Sequence, residues 1–189
     1  MFEIRDIINP ELKDLLLKVC IIEWDKENNA FIPGPDGGIR GFINIQNYFS
    51  QYKPDTISKC DQEIDKLMSL LNVNKEDYGY CRHFLGLNTP GANVTPHVDN
   101  IQFFKGDNRL LSSGAAEIRF NFYLQRPESG GHPCLTNENI ILQNKEGVGW
   151  YFNAGILHHS TPVEGTKNRI VLSLGSVMNK TKAKQLNLI

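Results

Sequence analysis

His97 and Asp99 lie two residues apart in Thr95-Pro96-His97-Val98-Asp99-Asn100, at a candidate strand over 94–98. Side chains alternate along a strand, so His97 and Asp99 share a face while Val98 points the other way. An imidazole nitrogen and a carboxylate oxygen are then a few ångströms apart, two corners of a facial metal triad whose third corner is another His. A His-x-Asp pair alone arises often by chance, so a distal histidine is what gives it meaning. Two stand side by side downstream, in Ala154-Gly155-Ile156-Leu157-His158-His159-Ser160-Thr161-Pro162-Val163. Beyond them Arg169 opens the apolar run Arg169-Ile170-Val171-Leu172-Ser173-Leu174. Alone, Arg169 reads as half of a surface ion pair. A strand away from a metal-binding His, its guanidinium fork suits one carboxylate of a dicarboxylic cosubstrate whose other end chelates the metal. Of the remaining histidines, His83 in its aromatic strand reads as a packed or hydrogen-bonded core residue. His132, in a Ser-Gly-Gly-His-Pro turn, reads as exposed.

These residues need a scaffold, and the chain supplies two textures. Asn9-Pro10-Glu11 has the form of an N-cap, a proline at the first helical position and an acidic first turn, with Leu12, Leu15, Leu16 and Val19 following at helical spacing. A turn-rich loop, Pro33-Gly34-Pro35-Asp36-Gly37-Gly38, precedes Arg40, and a second helix is expected over 61–71 with Ile64, Leu67, Met68 and Leu71 on one face. From Tyr78 onward short apolar runs are broken by Gly, Pro, Asn and Asp. Strands are expected over 80–87, 94–98, 117–125, 140–143, 149–153 and 168–177, which predicts an antiparallel sandwich or barrel. On the 117–125 strand Arg119, Asn121 and Tyr123 share one face, and Phe120, Phe122 and Leu124 the other. The lysines of Lys180-Thr181-Lys182-Ala183-Lys184 read as a solvated end.

Composition narrows the function without naming it. A chain of 189 residues, 40% hydrophobic and 22% charged, fits one packed domain. Lys and Arg number 20 against 21 Asp and Glu, which argues against a nucleic-acid partner held by bulk charge. No run approaches the roughly 20 apolar residues of a membrane span, and the charged start does not resemble a signal peptide. Cys20, Cys60, Cys81 and Cys134 are too scattered for a metal knuckle or redox pair, and reduced thiols in a cytoplasmic protein are the expectation.

Over residues 78–177 the sequence resembles the Fe(II)- and 2-oxoglutarate-dependent oxygenases, in particular their compact prolyl-hydroxylase-like branch. The resemblance rests on His97-Val98-Asp99, the strand Arg119-Phe120-Asn121-Phe122-Tyr123-Leu124, the turn Glu128-Ser129-Gly130-Gly131, the distal His158 and Arg169. His158, three residues and Pro162-Val163 match the family's distal pattern. Gly165 falls one position early and Arg169 one late, and a shifted register would give the ligand role to His159. The resemblance implies a mainly β, double-stranded β-helix (jelly roll) core over 78–178, with residues 1–77 as helical support in one domain over 1–189. It implies Fe(II) held by His97, Asp99 and His158, with 2-oxoglutarate bound by Arg169, Tyr123 and Asn121 and ascorbate as a reductant. It further implies hydroxylation of an amino acid, a peptidyl residue such as proline, or a small metabolite, with succinate and CO₂ as co-products. Halogenating relatives replace the carboxylate by Gly or Ala, so the intact Asp99 disfavours halogenation. A cupin-like metal enzyme without 2-oxoglutarate and a non-enzymatic β-sandwich are the alternatives. Substrate choice is expected at the barrel mouth, from the 33–41 loop, Tyr48, Phe49 and the 101–113 segment. Arg40 or Arg82 could meet a substrate carboxylate there, although Arg40 reads more simply as a surface ion pair and Arg82 as a core-edge hydrogen bond.

Overall fold

The computed structural model describes residues 1–24, 32–33, 37–50, 53–99 and 114–189. Its first part contains β1 (Phe2–Arg5), α1 (Pro10–Trp24), β2 (Ile32–Pro33), β3 (Ile39–Asn44), α2 (Ile45–Phe49) and α3 (Asp55–Leu70). After a 3-10 turn at Lys75–Asp77 come β4 (Tyr78–Tyr80), β5 (Phe84–Asn88), β6 (Val94–His97) and β7 (Ala116–Gln125). The short strands β8 (Ser129–Gly130), β9 (Pro133–Leu135) and β10 (Ile140–Ile141) lead to β11 (Val148–Asn153) and β12 (His158–Ser160). The chain closes with β13 (Val163–Glu164), β14 (Arg169–Met178) and α4 (Lys180–Gln185).

The two ten-residue strands β7 and β14 pair antiparallel at the centre of a large sheet ordered β1-β11-β7-β14-β5-β3-β2, with β4 also on β14. A smaller antiparallel sheet, β10-β9-β12-β6, lies opposite, and β13 pairs with β8. The whole is mainly β and antiparallel, as the strand pattern predicts, and a jelly roll, as the family resemblance implies. Strand alternation gives the large sheet two unlike faces. Ile118, Phe120, Phe122, Ile170, Leu172 and Leu174 turn outward onto Leu12 and Leu16 of α1 and Ile64 and Leu67 of α3, forming the main core. The opposite face carries Tyr123, Trp150, Phe152 and Val171, which form a second, smaller cluster inside the roll. Burying a leucine such as Leu16 or Leu67 contributes about 1.5–3 kcal/mol, so the helices hold the large sheet rigid from behind.

Local chemistry explains where the elements begin. The Asn9 side chain accepts from the Glu11 and Leu12 amides at 2.9 and 3.2 Å, capping α1 as expected. The second helix starts six residues earlier than its apolar spacing suggests, because Thr56 and Cys60 extend its buried face back to Asp55. The expected strand over 80–87 is two strands separated by Cys81-Arg82-His83. His83 is fully buried there: its Nδ1 accepts from the Gly175 amide at 3.1 Å and its Nε2 faces Asp61 of α3 at 2.8 Å.

Other expectations are corrected. Residues 1–77 are not purely helical: β1 pairs with β11 and β3 with β5, widening the large sheet. Phe2-Glu3-Ile4-Arg5 alternates as a strand should, but four residues are too short a run to stand out, and β3 has Gly41 at its centre and adjacent Phe42 and Ile43, which blur its alternation. Phe49 is buried among the helices and Tyr48 packs against that core, so neither covers the mouth of the roll. The lysine-rich end is α4, capped by Asn179 and anchored by buried Ala183 and Leu188. His132 is only half-exposed, and its Nδ1 is buried without a hydrogen bond. Residues 34–36 and 101–113, expected at the mouth, lie outside the described residues. Among the described residues no helix is long and apolar enough to cross a membrane.

Candidate metal centre

His97 ends β6 and His158 begins β12, and the antiparallel register sets these residues opposite one another. Their ring centroids are 4.3 Å apart. Each imidazole is turned by its own backbone: Nδ1 of His97 donates to the Thr95 carbonyl and Nδ1 of His158 to the Ile156 carbonyl, both at 2.8 Å. A carbonyl only accepts, so Nδ1 carries the proton and Nε2 is left as the free ligand atom on both rings. Asp99 lies just beyond β6, its amide tied to the Ala154 carbonyl at 2.9 Å. Its carboxylate approaches Nε2 of His97 at 3.4 Å and Nε2 of His158 at 4.0 Å. One ligand atom from each of the three residues falls within 4.8 Å of the others, a donor set suited to a divalent cation. His159 gives its Nδ1 to the Thr136 hydroxyl at 2.6 Å and lies outside the cluster.

The electrostatics follow from burial and neighbours. Burial opposes ionisation of Asp99, but its contact with His97 and the charges of Arg119 and His158 outweigh that and hold its pKa below the ordinary value. The same contact with Asp99 raises His97 despite its partial burial. Desolvation lowers His158, which is 8% exposed. Behind the cluster, Arg119 Nε lies 3.6 Å from Asp99, while the same guanidinium pairs with Glu117 and donates to the Arg82 carbonyl at 2.5 Å. Strand alternation puts Arg119 on this face, but the bridge is not legible in the sequence because Asp99 arrives from beyond a strand of the other sheet.

The cluster opens into a cavity of about 450 Å³ between the two sheets. Phe84, Trp150, Phe152 and Val171 supply its apolar wall. Trp150 and Phe152 escaped notice in the sequence, though their period-2 spacing in Gly149-Trp150-Tyr151-Phe152 is the signal that identifies a shared face. Arg169, 6% exposed, lines the far part of the cavity rather than a surface ion pair. Its Nη1 donates to Asn88 Oδ1 at 3.3 Å, whereas its Nε is buried without a partner. The amide nitrogens of Asn88 and Asn121 are likewise buried, unpartnered and on the cavity wall. A cavity whose buried donors lack acceptors is shaped for an acceptor-rich, anionic occupant.

Comparison with protein-family models finds no match, and comparison with curated protein sequences finds none. Solved structures do match. The 2-oxoglutarate complex of a viral collagen prolyl hydroxylase from Paramecium bursaria Chlorella virus-1 superposes with a TM-score of 0.63 at 15% identity, over 95% of this chain and 96% of that one. HygX from Streptomyces hygroscopicus, with nickel and 2-oxoglutarate bound, gives a TM-score of 0.59 at 12% identity, over 95% and 83% of the two chains. The fold is that of the 2-oxoglutarate oxygenases. The non-haem α-ketoglutarate-dependent epimerase SnoN from nogalamycin biosynthesis has it too, with a TM-score of 0.63 at 10% identity, over 94% and 77% of the two chains.

In this 2-oxoglutarate-oxygenase fold the Gly-Gly turn has a local explanation. Gly130 and Gly131 both have positive φ, and a Cβ on Gly131 would lie 2.7 Å from Cδ of Arg169. The turn therefore leaves room for the arginine stem. Glu128 pins it by accepting from the amide and hydroxyl of Thr166, both at 2.9 Å. Tyr123 stands beside Arg169, its ring 5.0 Å from that of Trp150, and its hydroxyl donates to the Gly131 carbonyl at 3.2 Å. Of the expected cosubstrate residues, Asn121 and Arg169 line the cavity, while Tyr123 lies behind them in the supporting cluster.

Proposed function

We propose that this chain is an Fe(II)- and 2-oxoglutarate-dependent dioxygenase of one domain over 1–189, and that its reaction is hydroxylation. The observation that carries the reading is one cavity with the His97–Asp99–His158 cluster on one side and Arg169, with its unsatisfied neighbours, on the other. The residues suit the cofactors: two neutral imidazoles and a carboxylate for a divalent ion, and buried donors for a dicarboxylate.

In this reading His97 and His158 hold iron through Nε2, and Asp99 holds it through its carboxylate. Arg169 takes the 5-carboxylate of 2-oxoglutarate, Asn121 donates its idle amide hydrogen, and Tyr123 keeps the arginine in place. When bound, the iron supplies oxygen activation that couples oxidation of 2-oxoglutarate to substrate: 2-oxoglutarate, O₂ and R–H give succinate, CO₂ and R–OH. Phe84, Phe152 and Val171 keep bulk water from the reacting volume, and Arg119 holds Asp99 against displacement. The substrate classes in view are an amino acid, a peptidyl residue such as proline, and a small metabolite. The viral relative by fold is a collagen prolyl hydroxylase by its description, whereas SnoN is an epimerase, so the same scaffold carries more than one reaction outcome.

Succinate formation tests the reading. With Fe(II), 2-oxoglutarate, ascorbate and air, a panel of amino acids and proline-containing peptides is expected to stimulate succinate release, and Asp99→Ala to reduce it to background. Equal succinate from wild type and Asp99→Ala contradicts it.

A further inference from the structure

Arg40 lines the same cavity, and neither the metal cluster nor the proposed cosubstrate residues use it. In the sheet register Arg169 stands opposite Asn88, and Asn88 opposite Arg40 on β3. The two arginines are thus two strands apart, with backbones roughly 10 Å from one another. Asn88 fills the interval and is bonded to Arg169. The Arg40 guanidinium lies 4.6 Å over the Phe42 ring, and its Nε is buried without a hydrogen bond. Among the described residues it has no ion pair. Its charge acts on both sides of the cavity: Arg169 disfavours its protonation, secondary to burial, and Asp99 favours it.

Counting charges shows what is missing. Asp99 is the one carboxylate among the described lining residues. With the proposed cofactors bound, Asp99 and dianionic 2-oxoglutarate offset Fe(II) and Arg169, and Glu117 offsets its partner Arg119. Among the described side chains Arg40 is left as one uncompensated positive charge in a partly desolvated wall, with Phe42 beneath it and Phe84 farther along the same wall. We propose that Arg40 receives a carboxylate of the oxidised substrate, which is therefore an organic acid with an apolar portion along Phe42 and Phe84. This rests on the oxygenase reading and adds the substrate's charge to it. A partner for a guanidinium so placed forms charge-assisted hydrogen bonds, the strong class.

Arginine modification by phenylglyoxal, read by peptide mass spectrometry on the zinc-loaded protein, decides the matter. Arg40 is expected to be labelled with zinc alone and to stay labelled when 2-oxoglutarate is added. Adding N-acetyl-L-leucine with 2-oxoglutarate should then protect Arg40 about tenfold or more better than N-acetyl-L-leucinamide, the difference between a charged and a neutral partner. Shielding of Arg40 by 2-oxoglutarate alone overturns the proposal and makes Arg40 a second clamp on the cosubstrate. An unlabelled Arg40, or equal or no protection by acid and amide, overturns it as well. The visible absorption of the anaerobic Fe(II)–2-oxoglutarate complex is the separate arm. If it forms, the labelling judges Arg40 alone; if it does not form, the oxygenase reading itself fails.

Discussion

Each histidine of the cluster is oriented by a carbonyl two residues before it, so the ligand geometry is built into β6 and β12 rather than imposed by a bound ion. That arrangement has a consequence for pH. A metal must displace the protons on Nε2, and the two rings start from opposite positions: Asp99 raises His97, while burial lowers His158. Between those two pKa values His97 is protonated and His158 neutral, so one proton leaves per metal bound. Zinc affinity, measured by competition with a chelator, should rise about tenfold per pH unit in that window and flatten above the raised His97 value. A hundredfold rise per unit across the same window contradicts the assignment. In the metal-free protein the signs are those of linkage: the His97 contribution to stability is lost as pH rises through its raised pKa, and that of Asp99 as pH falls through its depressed one. Arg169 is the other residue with a defined cost. Arg169→Ala should raise the KM for 2-oxoglutarate by about 10- to 150-fold with little change in zinc affinity, since the loss is of charge-assisted hydrogen bonds remote from the ligands. The His-x-Asp pair was legible because strand alternation is local. The choice of His158 over His159 came from family spacing, and the bridge from Glu117 through Arg119 to Asp99 was hidden because it joins two sheets.

At the level of elements, two small connections matter, one at the site and one in the scaffold behind it. The first is the connection from β8 to β9, where Gly131 combines a left-handed backbone with close approach to Arg169. Gly131→Ala should cost about 1–2 kcal/mol for the backbone alone, and the displaced arginine stem should raise the KM for 2-oxoglutarate in the same variant. Urea unfolding and steady-state kinetics measure both, and a destabilised variant with unchanged KM would separate the turn from the site. The second is His83, which ties α3 to β14 between Asp61 and the Gly175 amide. His83→Ala should lower stability by about 2–4 kcal/mol by leaving a buried donor unpaired and a cavity, while the folded fraction still binds zinc with wild-type affinity. The long strands and α1 were readable from periodicity and capping. β12 was not, since three residues carry no period, and α3 was read short because Thr56 and Cys60 do not look apolar.

The whole molecule is a sheet with two unlike faces, one closed by helices and one left as a cavity. β7 and β14 carry both, with Phe120 and Leu172 turned to the core and Asn121 and Ser173 to the cavity. Alternation in the sequence revealed the two faces, but not that the polar one is enclosed; enclosure comes from the second sheet, whose short strands are recruited over long sequence separations. The closed face also protects two of the thiols, Cys20 and Cys60, while Cys81 lies against Glu117 on the other face. Burial pushes Cys20 and Cys60 up to about 12, and raises Cys81 as well. At pH 8 the thiolate fraction of Cys20 and Cys60 is then about one in ten thousand, so disulfide-exchange reagents should modify them only along the urea unfolding transition; rapid reaction in native buffer contradicts this packing. In the proposed function His97, Asp99 and His158 hold the iron to which 2-oxoglutarate binds. Anaerobic titration with Fe(II) and 2-oxoglutarate is the decisive measurement. A visible absorption band should appear only when both are present, saturate at one iron per chain, persist in His159→Ala and vanish in Asp99→Ala and His158→Ala. A band that survives loss of Asp99 or His158, or no band in the wild type, contradicts the account.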